Sequence, residues 1–308
     1  MTNRKSTYFL GGILIGIAGA VFFSTKAIFV KLAYRDTDVD AVSLLALRML
    51  FSLPFFVISA YLSSSRSENK KFTLKQWAAV AFIGCLGYYL SSLLDFLGLQ
   101  YVSAGIERLI LFIYPTLVLI LSAVIFKVKI TQRQWFAILI TYAGLLLAFW
   151  GEAGFDSSGP EFLKGAALIF ACAITFACYI VGSGRVIPAV GAVKFNSYAM
   201  TFACIAVLIH FFIVNSNSLF GMETTVYLYA LAMAILGTVI PSFLVSEGIK
   251  RIGSENAAIV GSVGPVSTIL QAYIFLGEPI LALQIAGTVF ILIGILMISK
   301  KQQPVHSK

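Results

Sequence analysis

Ten apolar stretches, each of roughly 20 residues and separated by short polar punctuation, constrain this chain more than any other feature. They run over 8–31, 40–62, 75–98, 104–126, 133–150, 161–183, 193–215, 225–247, 255–276 and 281–299. A stretch of that length crosses the hydrocarbon core of a bilayer as an α-helix, because a helix satisfies its own backbone polar groups where no water can. Only 11% of the residues are charged and the mean hydropathy is +0.95, against about 25% charged in a soluble domain. The fold class predicted is an all-α integral membrane protein with ten transmembrane helices. The longest connections, 63–73, 151–160 and 215–224, are too short to house a separate soluble domain. Arg4 and Lys5 precede the first apolar run, as in a signal peptide, but the run from Tyr8 to about Val30 exceeds a signal core and reads as an uncleaved first helix.

The charge placement sets the orientation. With the N-terminus inside, sixteen Lys and Arg residues fall on the inner side and four (Lys31, Arg35, Arg108 and Lys164) on the outer, while Lys26 and Arg48 lie within helices. The positive-inside rule then predicts that both termini are cytoplasmic. The net charge of +9 is accounted for by this asymmetry, and no basic run is interleaved with surface aromatics, which argues against nucleic-acid binding.

A second regularity is an internal repeat at an offset of 150 residues. It pairs Pro115 with Pro265, Gly87 with Gly237, Ser92 with Ser242, Gly98 with Gly248, Gln134 with Gln284 and Gly144 with Gly294. Each copy holds five helices, and five is odd, so the second copy must enter the membrane from the opposite side. The predicted domains are therefore two inverted five-helix repeats, 8–150 and 161–299, an arrangement typical of secondary transporters. The basic residues agree. Lys127, Lys129 and Arg133 follow the fourth helix, and their counterparts Gly277, Pro279 and Leu283 are uncharged. Lys250 and Arg251 follow the eighth, where the first copy has Gln100 and Tyr101.

Several motifs resemble the EamA-type drug/metabolite transporters over nearly the whole chain. They are the YVSAG turn at 101–105 before the helix holding Pro115, the RIGSENAA turn at 251–258 before Pro265, and the LGEP element at 276–279. Arg48 and the AIFVKLA run at 27–33 are similar to family features, whereas FKVKI at 126–130 departs from the Gly-Glu pair kept at Gly277 and Glu278. The resemblance implies a ten-helix bundle that carries small metabolites, amino acids or drugs, often outward, in the cytoplasmic (inner) membrane.

Ionisable groups inside apolar spans are costly to bury and usually face a bundle interior or a cavity. Tyr88, Ser91, Ser92 and Asp95 recur at helical spacing on the third helix, with Thr238 and Ser242 at the matching positions of the eighth. These stripes line a pathway, or alternatively join helices through hydrogen bonds. Asp95 is a candidate for a cation, a proton or a substrate amine, or for a structural salt bridge with Arg108. Glu107 sits about 100° round the helix from Arg108, and Tyr114 lies on the face of Glu107. Arg48 is placed for a substrate carboxylate, backbone carbonyls or Asp95. Lys26, nearer the outer end, is placed either to snorkel outward or for a functional role. The substrate-binding set is thus Tyr88, Ser92, Asp95, Glu107, Arg108, Tyr114, Arg48 and Ser242, with Pro115 and Pro265 as hinges in alternating access. Glu247 is expected beside Lys250 and Arg251, and Gly12, Gly16 and Ala20 form a small-residue face that leaves a homodimer open.

Chemistry of other kinds finds no support. Cys85, Cys172, Cys178 and Cys204 lie in apolar segments without metal-ligand spacing, and His210 and His306 stand apart from carboxylates. No catalytic motif or cofactor-binding motif is present, so no metal or cofactor is predicted and the chain does not read as an enzyme. The reading is a secondary transporter for a small amino acid-like or drug-like molecule in a lipid bilayer, working by export and open to proton coupling. The alternatives are a membrane scaffold or regulator, or an intramembrane enzyme using Asp95 with Glu107.

Overall fold

The computed structural model describes residues 2–64, 72–102, 104–127, 129–150, 161–214, 219–277, 280 and 282–299. Among them there are helices and no strands. The helices are α1 (Thr2–Asp36), α2 (Ala41–Ser64), α3 (Leu74–Gly98), α4 (Ala104–Leu111), α5 (Tyr114–Phe126), α6 (Gln132–Trp150), α7 (Phe162–Val190), α8 (Ala192–Val214), α9 (Thr224–Ile252), α10 (Ser254–Val260), α11 (Val263–Leu276) and α12 (Ala282–Ser299). Seven of the described helical spans are long and apolar enough to cross a membrane: α1, α2, α3, α7, α8, α9 and the continuous stretch Ser254–Leu276. Tyr114–Phe126 is apolar but shorter. Glu278 and Pro279 of the LGEP element, Gln284's side chain and the lysines beyond Ser299 lie outside the described residues.

The expected single span 104–126 is divided. The helix breaks at Phe112–Ile113, and its repeat counterpart turns at Gly261–Ser262. Proline supplies no N–H and crowds the carbonyl four residues earlier, so the interruption falls just upstream of Pro115 and Pro265 and is sharper than a bend at the prolines themselves. In the second case the Gly264 N–H takes up the Gly261 carbonyl at 2.9 Å.

A second paired irregularity lies within the long helices. α3 widens to a π turn over Cys85–Leu90 and α9 over Ile235–Val239. Such turns commonly mark functional sites. Each receives a helix from the other half of the chain. A Cβ on Gly87 would lie 2.2 Å from the Tyr179 ring, and one on Gly237 would lie 3.3 Å from Lys26. Glycine is therefore required at Gly87 for close approach.

Three helices run further than the hydropathy predicts, to Asp36, Val190 and Ile252. Contacts rather than lipid hold these last turns. Lys31 Nζ donates to the Leu99 carbonyl at 2.9 Å and Tyr34 to the Phe96 carbonyl at 3.0 Å, so α1 covers the end of α3. The Arg185 guanidinium lies 4.2 Å from the centre of the Phe126 ring. Glu247 pairs with Arg251 at 2.7 Å and Lys250 at 3.5 Å, as expected of one turn of helix.

α1 runs against α9 and α11, α2 against α8, and α6 against α12. The small-residue face of α1 is covered within the chain. A Cβ on Gly12 would meet Ile252 at 2.6 Å, and one on Gly16 would meet Val260 at 3.0 Å. Glycine here lets α1 seat against α9 and α10.

Candidate functional site

The centre of the bundle holds a cavity of about 80 Å³. Its wall is built from Gly16 to Lys26 of α1, Gly87 to Ser92 of α3, Arg108 and Tyr114 around the break between α4 and α5, Cys172 to Ile180 of α7, and the stretch from Val245 to Pro265. The expected third, eighth and ninth spans and both pieces of the divided fourth contribute to it, and α1 and α7 join them.

Two buried ion pairs stand at this wall. Lys26 Nζ lies 2.6 Å from Asp95 Oδ2, with side chains 5% and 0% exposed. Glu107 Oε2 lies 3.0 Å from Arg108 Nε, also buried. The Asp95 and Glu107 carboxyl groups approach closely enough to interact, and Arg108 acts on Asp95 as well, so the four ionisable groups form one cluster. The approaches are short but not regular hydrogen bonds at the carboxylates, whose oxygens take no other donor among the described residues. Removing each ion from water costs several kcal/mol, which the opposite charge offsets only in part. Such clusters therefore mark functional interiors more often than stabilising ones.

The observed pairing differs from the expected one. Asp95 makes its pair with Lys26, which does not snorkel: it is 4% exposed and points into the bundle. The Gly237 turn of α9 lies beside the Lys26 backbone, close enough that a Cβ there would sit 3.4 Å from the Lys26 Cα. Glu107 and Arg108, predicted to face apart, pair with each other. Lys26, which the sequence leaves open between snorkelling and a functional role, belongs to the site. The signal for it was a lysine in an apolar span at a depth matching that of Asp95.

The remaining candidates divide. Ser92, Arg108, Tyr114 and Pro265 line the cavity, together with Ser91. Tyr114 donates to the Ala258 carbonyl at 3.0 Å, bridging α5 to α10 beside Gly261, whose missing side chain makes room for the hydroxyl. Tyr88, Ser242 and Arg48 are buried away from it. Tyr88 stacks edge-on with Tyr179 at 4.9 Å. Ser242 accepts from Asn196 Nδ2 at 3.0 Å. Arg48 Nε donates to Thr238 Oγ1 at 2.6 Å, and its guanidinium lies 5.3 Å from the Phe96 ring centre. Thr238 in turn donates to the Met233 carbonyl at 2.9 Å, so Arg48 is tied to the π turn of α9. Its two Nη atoms have no hydrogen-bond partner among the described residues. Pro115 is buried at the start of α5.

Comparison with known proteins bears on the same halves. The EamA-like transporter family matches the chain over residues 10–150 and again over 163–300. YcbK, an uncharacterized transporter of Bacillus subtilis strain 168, is 34% identical over 288 residues, covering 90% of this chain and 88% of the relative. YyaM of the same organism, also named as an uncharacterized transporter, is 24% identical over 250 residues, with 81% and 82% covered. One crystal structure superposes with a TM-score of 0.74 at 20% identity, covering 93% of this chain and 96% of that one, which shows the shared fold. The paired prolines, the multiple membrane-length helices and two family matches lead to one conclusion: this chain belongs to the EamA-like transporter family, and is a multi-pass membrane transporter.

Proposed function

We propose that this protein is a secondary transporter that exports a small amino acid-like or drug-like molecule across the cytoplasmic membrane. Two five-helix repeats, 8–150 and 161–299, of inverted topology and with both termini cytoplasmic, rock about the central cavity. The π turns and helix breaks recurring at an offset of 150 residues support this reading, as do the two family matches. Pro115 and Pro265 serve as hinges, because the helix ends just upstream of each and the freed backbone can turn there. Ser92, Arg108 and Tyr114 contact the molecule carried, Asp95 and Glu107 set the charge of the site, and Tyr88, Ser242 and Arg48 hold the surrounding helices. At about 80 Å³ the cavity is smaller than the roughly 300 Å³ at which ligand pockets usually begin. The conformation is thus a narrow one that must widen to admit substrate.

The observation that carries this reading is the cluster of four ionisable groups at a cavity lined by both halves. A scaffold has no use for so costly an interior. The test is a metabolite screen in vesicles reconstituted with the full chain, with and without a pH gradient. Asp95→Asn is expected to reduce the rate at least tenfold while the protein stays folded and inserted. Wild-type rates in that variant would remove Asp95 from the mechanism, and a gradient without effect would remove proton coupling.

A further inference from the structure

We infer that Lys26 is a tethered occupant of a cation subsite at Asp95, standing where the ammonium group of a transported amine binds during the cycle. The inference rests on the transporter reading above and names the substrate class of the same site.

Access comes first. Lys26 lines the cavity, whereas Asp95 is fully buried and does not. A molecule in the cavity therefore meets Lys26 before it can reach Asp95. The hydrogen bonding of Asp95 comes second. A buried carboxylate is normally held by several donors, yet Asp95 takes no regular hydrogen bond among the described residues and has the Lys26 ammonium at 2.6 Å instead. Removing Lys26 frees Asp95 Oδ2, while the Glu107 carboxyl group stays beside the carboxylate. The third observation is the difference between the two cations. Arg108 is engaged by Glu107 at 3.0 Å, and its planar guanidinium holds a carboxylate in a fixed fork. Lysine carries a compact ammonium on a flexible stem and can swing away from its partner. The Phe23 ring, with its centre 5.5 Å from Nζ, offers the amine another surface to rest on. Phe23, Phe112 and Phe176 in the same wall favour an organic cation over an inorganic one.

The exchange balances. The substrate arrives as an ammonium ion and donates an N–H to Asp95. Lys26 Nζ gives up its place at Asp95 Oδ2 and swings on its stem towards the Phe23 ring. The substrate ammonium takes the place of the lysine ammonium on the carboxylate, and no bond to the proton is made or broken. The titratable and charged groups acting on this site are Asp95 of α3, Glu107 and Arg108 of α4, Cys172 of α7, Arg48 of α2 and Tyr34 of α1 itself. From α9 the neighbour is Gly237, which titrates nothing.

The purified full chain tests this with 2-phenylethylammonium as probe and the neutral 2-phenylethanol as control, followed by calorimetry. Wild type is expected to bind the amine at least tenfold more tightly than the alcohol. Lys26→Arg keeps the ion pair with a forked donor that holds the carboxylate more firmly, so binding of the amine falls at least tenfold. Lys26→Met removes the occupant and binds at least as tightly as wild type. A purely structural lysine gives the reverse order, with arginine tolerated and methionine damaging. That order, or wild type preferring neither probe, overturns the inference. Vesicles that move a neutral or anionic metabolite equally well with Lys26→Arg also overturn it and leave the transporter reading intact. Vesicles that move nothing overturn the transporter reading instead.

Discussion

The two halves of this chain share a backbone plan and differ in charge. Adding 150 to the residues of the central cluster turns Lys26 into Phe176, Asp95 into Val245, Glu107 into Ala257 and Arg108 into Ala258. All four of those second-half residues border the cavity, as Lys26 and Arg108 do. The glycines, prolines and π turns are kept at the same offset, while the ionisable groups are not. Backbone devices are duplicated because both halves must pack and turn alike. The chemistry sits on one side, because a second cluster would double the desolvation cost of the interior. The cavity is accordingly lopsided, with charge and hydroxyls from α1, α3 and α4 facing aromatic, small and apolar residues of the second half.

Making the first half resemble the second is the strongest test of that asymmetry. Arg108→Ala leaves Glu107 buried without its partner and is expected to cost about 3–5 kcal/mol, read as thermal unfolding in detergent. Glu107→Ala/Arg108→Ala, which installs the residues of the second half, is expected to recover at least half of that loss. A double variant no better than the single one shows that the pair is not coupled. The π turns give a smaller contrast. Gly87→Ala drives a Cβ into the Tyr179 ring, and about 1–3 kcal/mol of overpacking follows. Gly237→Ala meets Lys26 at only 3.3 Å, and the roughly 1 kcal/mol by which alanine is the better helix former offsets that contact, so stability is expected to stay unchanged. Equal losses at the two sites would mean that the turns are not packed as differently as their geometry implies.

A third contrast lies at the helix starts, again 150 residues apart. Thr73 caps α3 through a reciprocal box, accepting from Gln76 N while the Gln76 side chain accepts from Thr73 N. Glu223 stands at the same place before α9 and makes no side-chain cap. Thr73→Ala is expected to lower stability by about 1 kcal/mol, and Glu223→Ala to leave the unfolding temperature unchanged. A loss at Glu223 as large as that at Thr73 would assign it a contact beyond the cap.

Much of this architecture is legible in the residues themselves. The apolar stretches follow from bilayer thickness, and the offset of 150 is visible in Gly87, Gly237, Pro115 and Pro265 before any coordinate is known. The Glu247 pairs with Lys250 and Arg251 follow from helical spacing alone, since neighbours one turn apart cannot avoid one another. The helix breaks were partly legible: proline marks the region, but the backbone parts a few residues earlier, where its clash with the preceding turn is relieved.

Reading the residues alone identifies a helical membrane protein, its repeat and the ionisable residues that have no place in lipid. The tertiary structure decides which of those charges meet. Lys26 and Asp95 are 69 positions apart in the chain and come together because α1 and α3 border the same cavity at matching depth. Helical periodicity gives a side chain's direction around its own axis and nothing about the rotation of a neighbouring helix. That rotation is set by packing, here by Gly237 against the Lys26 backbone and by Tyr179 against Gly87. Ion pairing follows from it, and so does the division between residues that line the cavity and those, such as Arg48, that hold the helices around it.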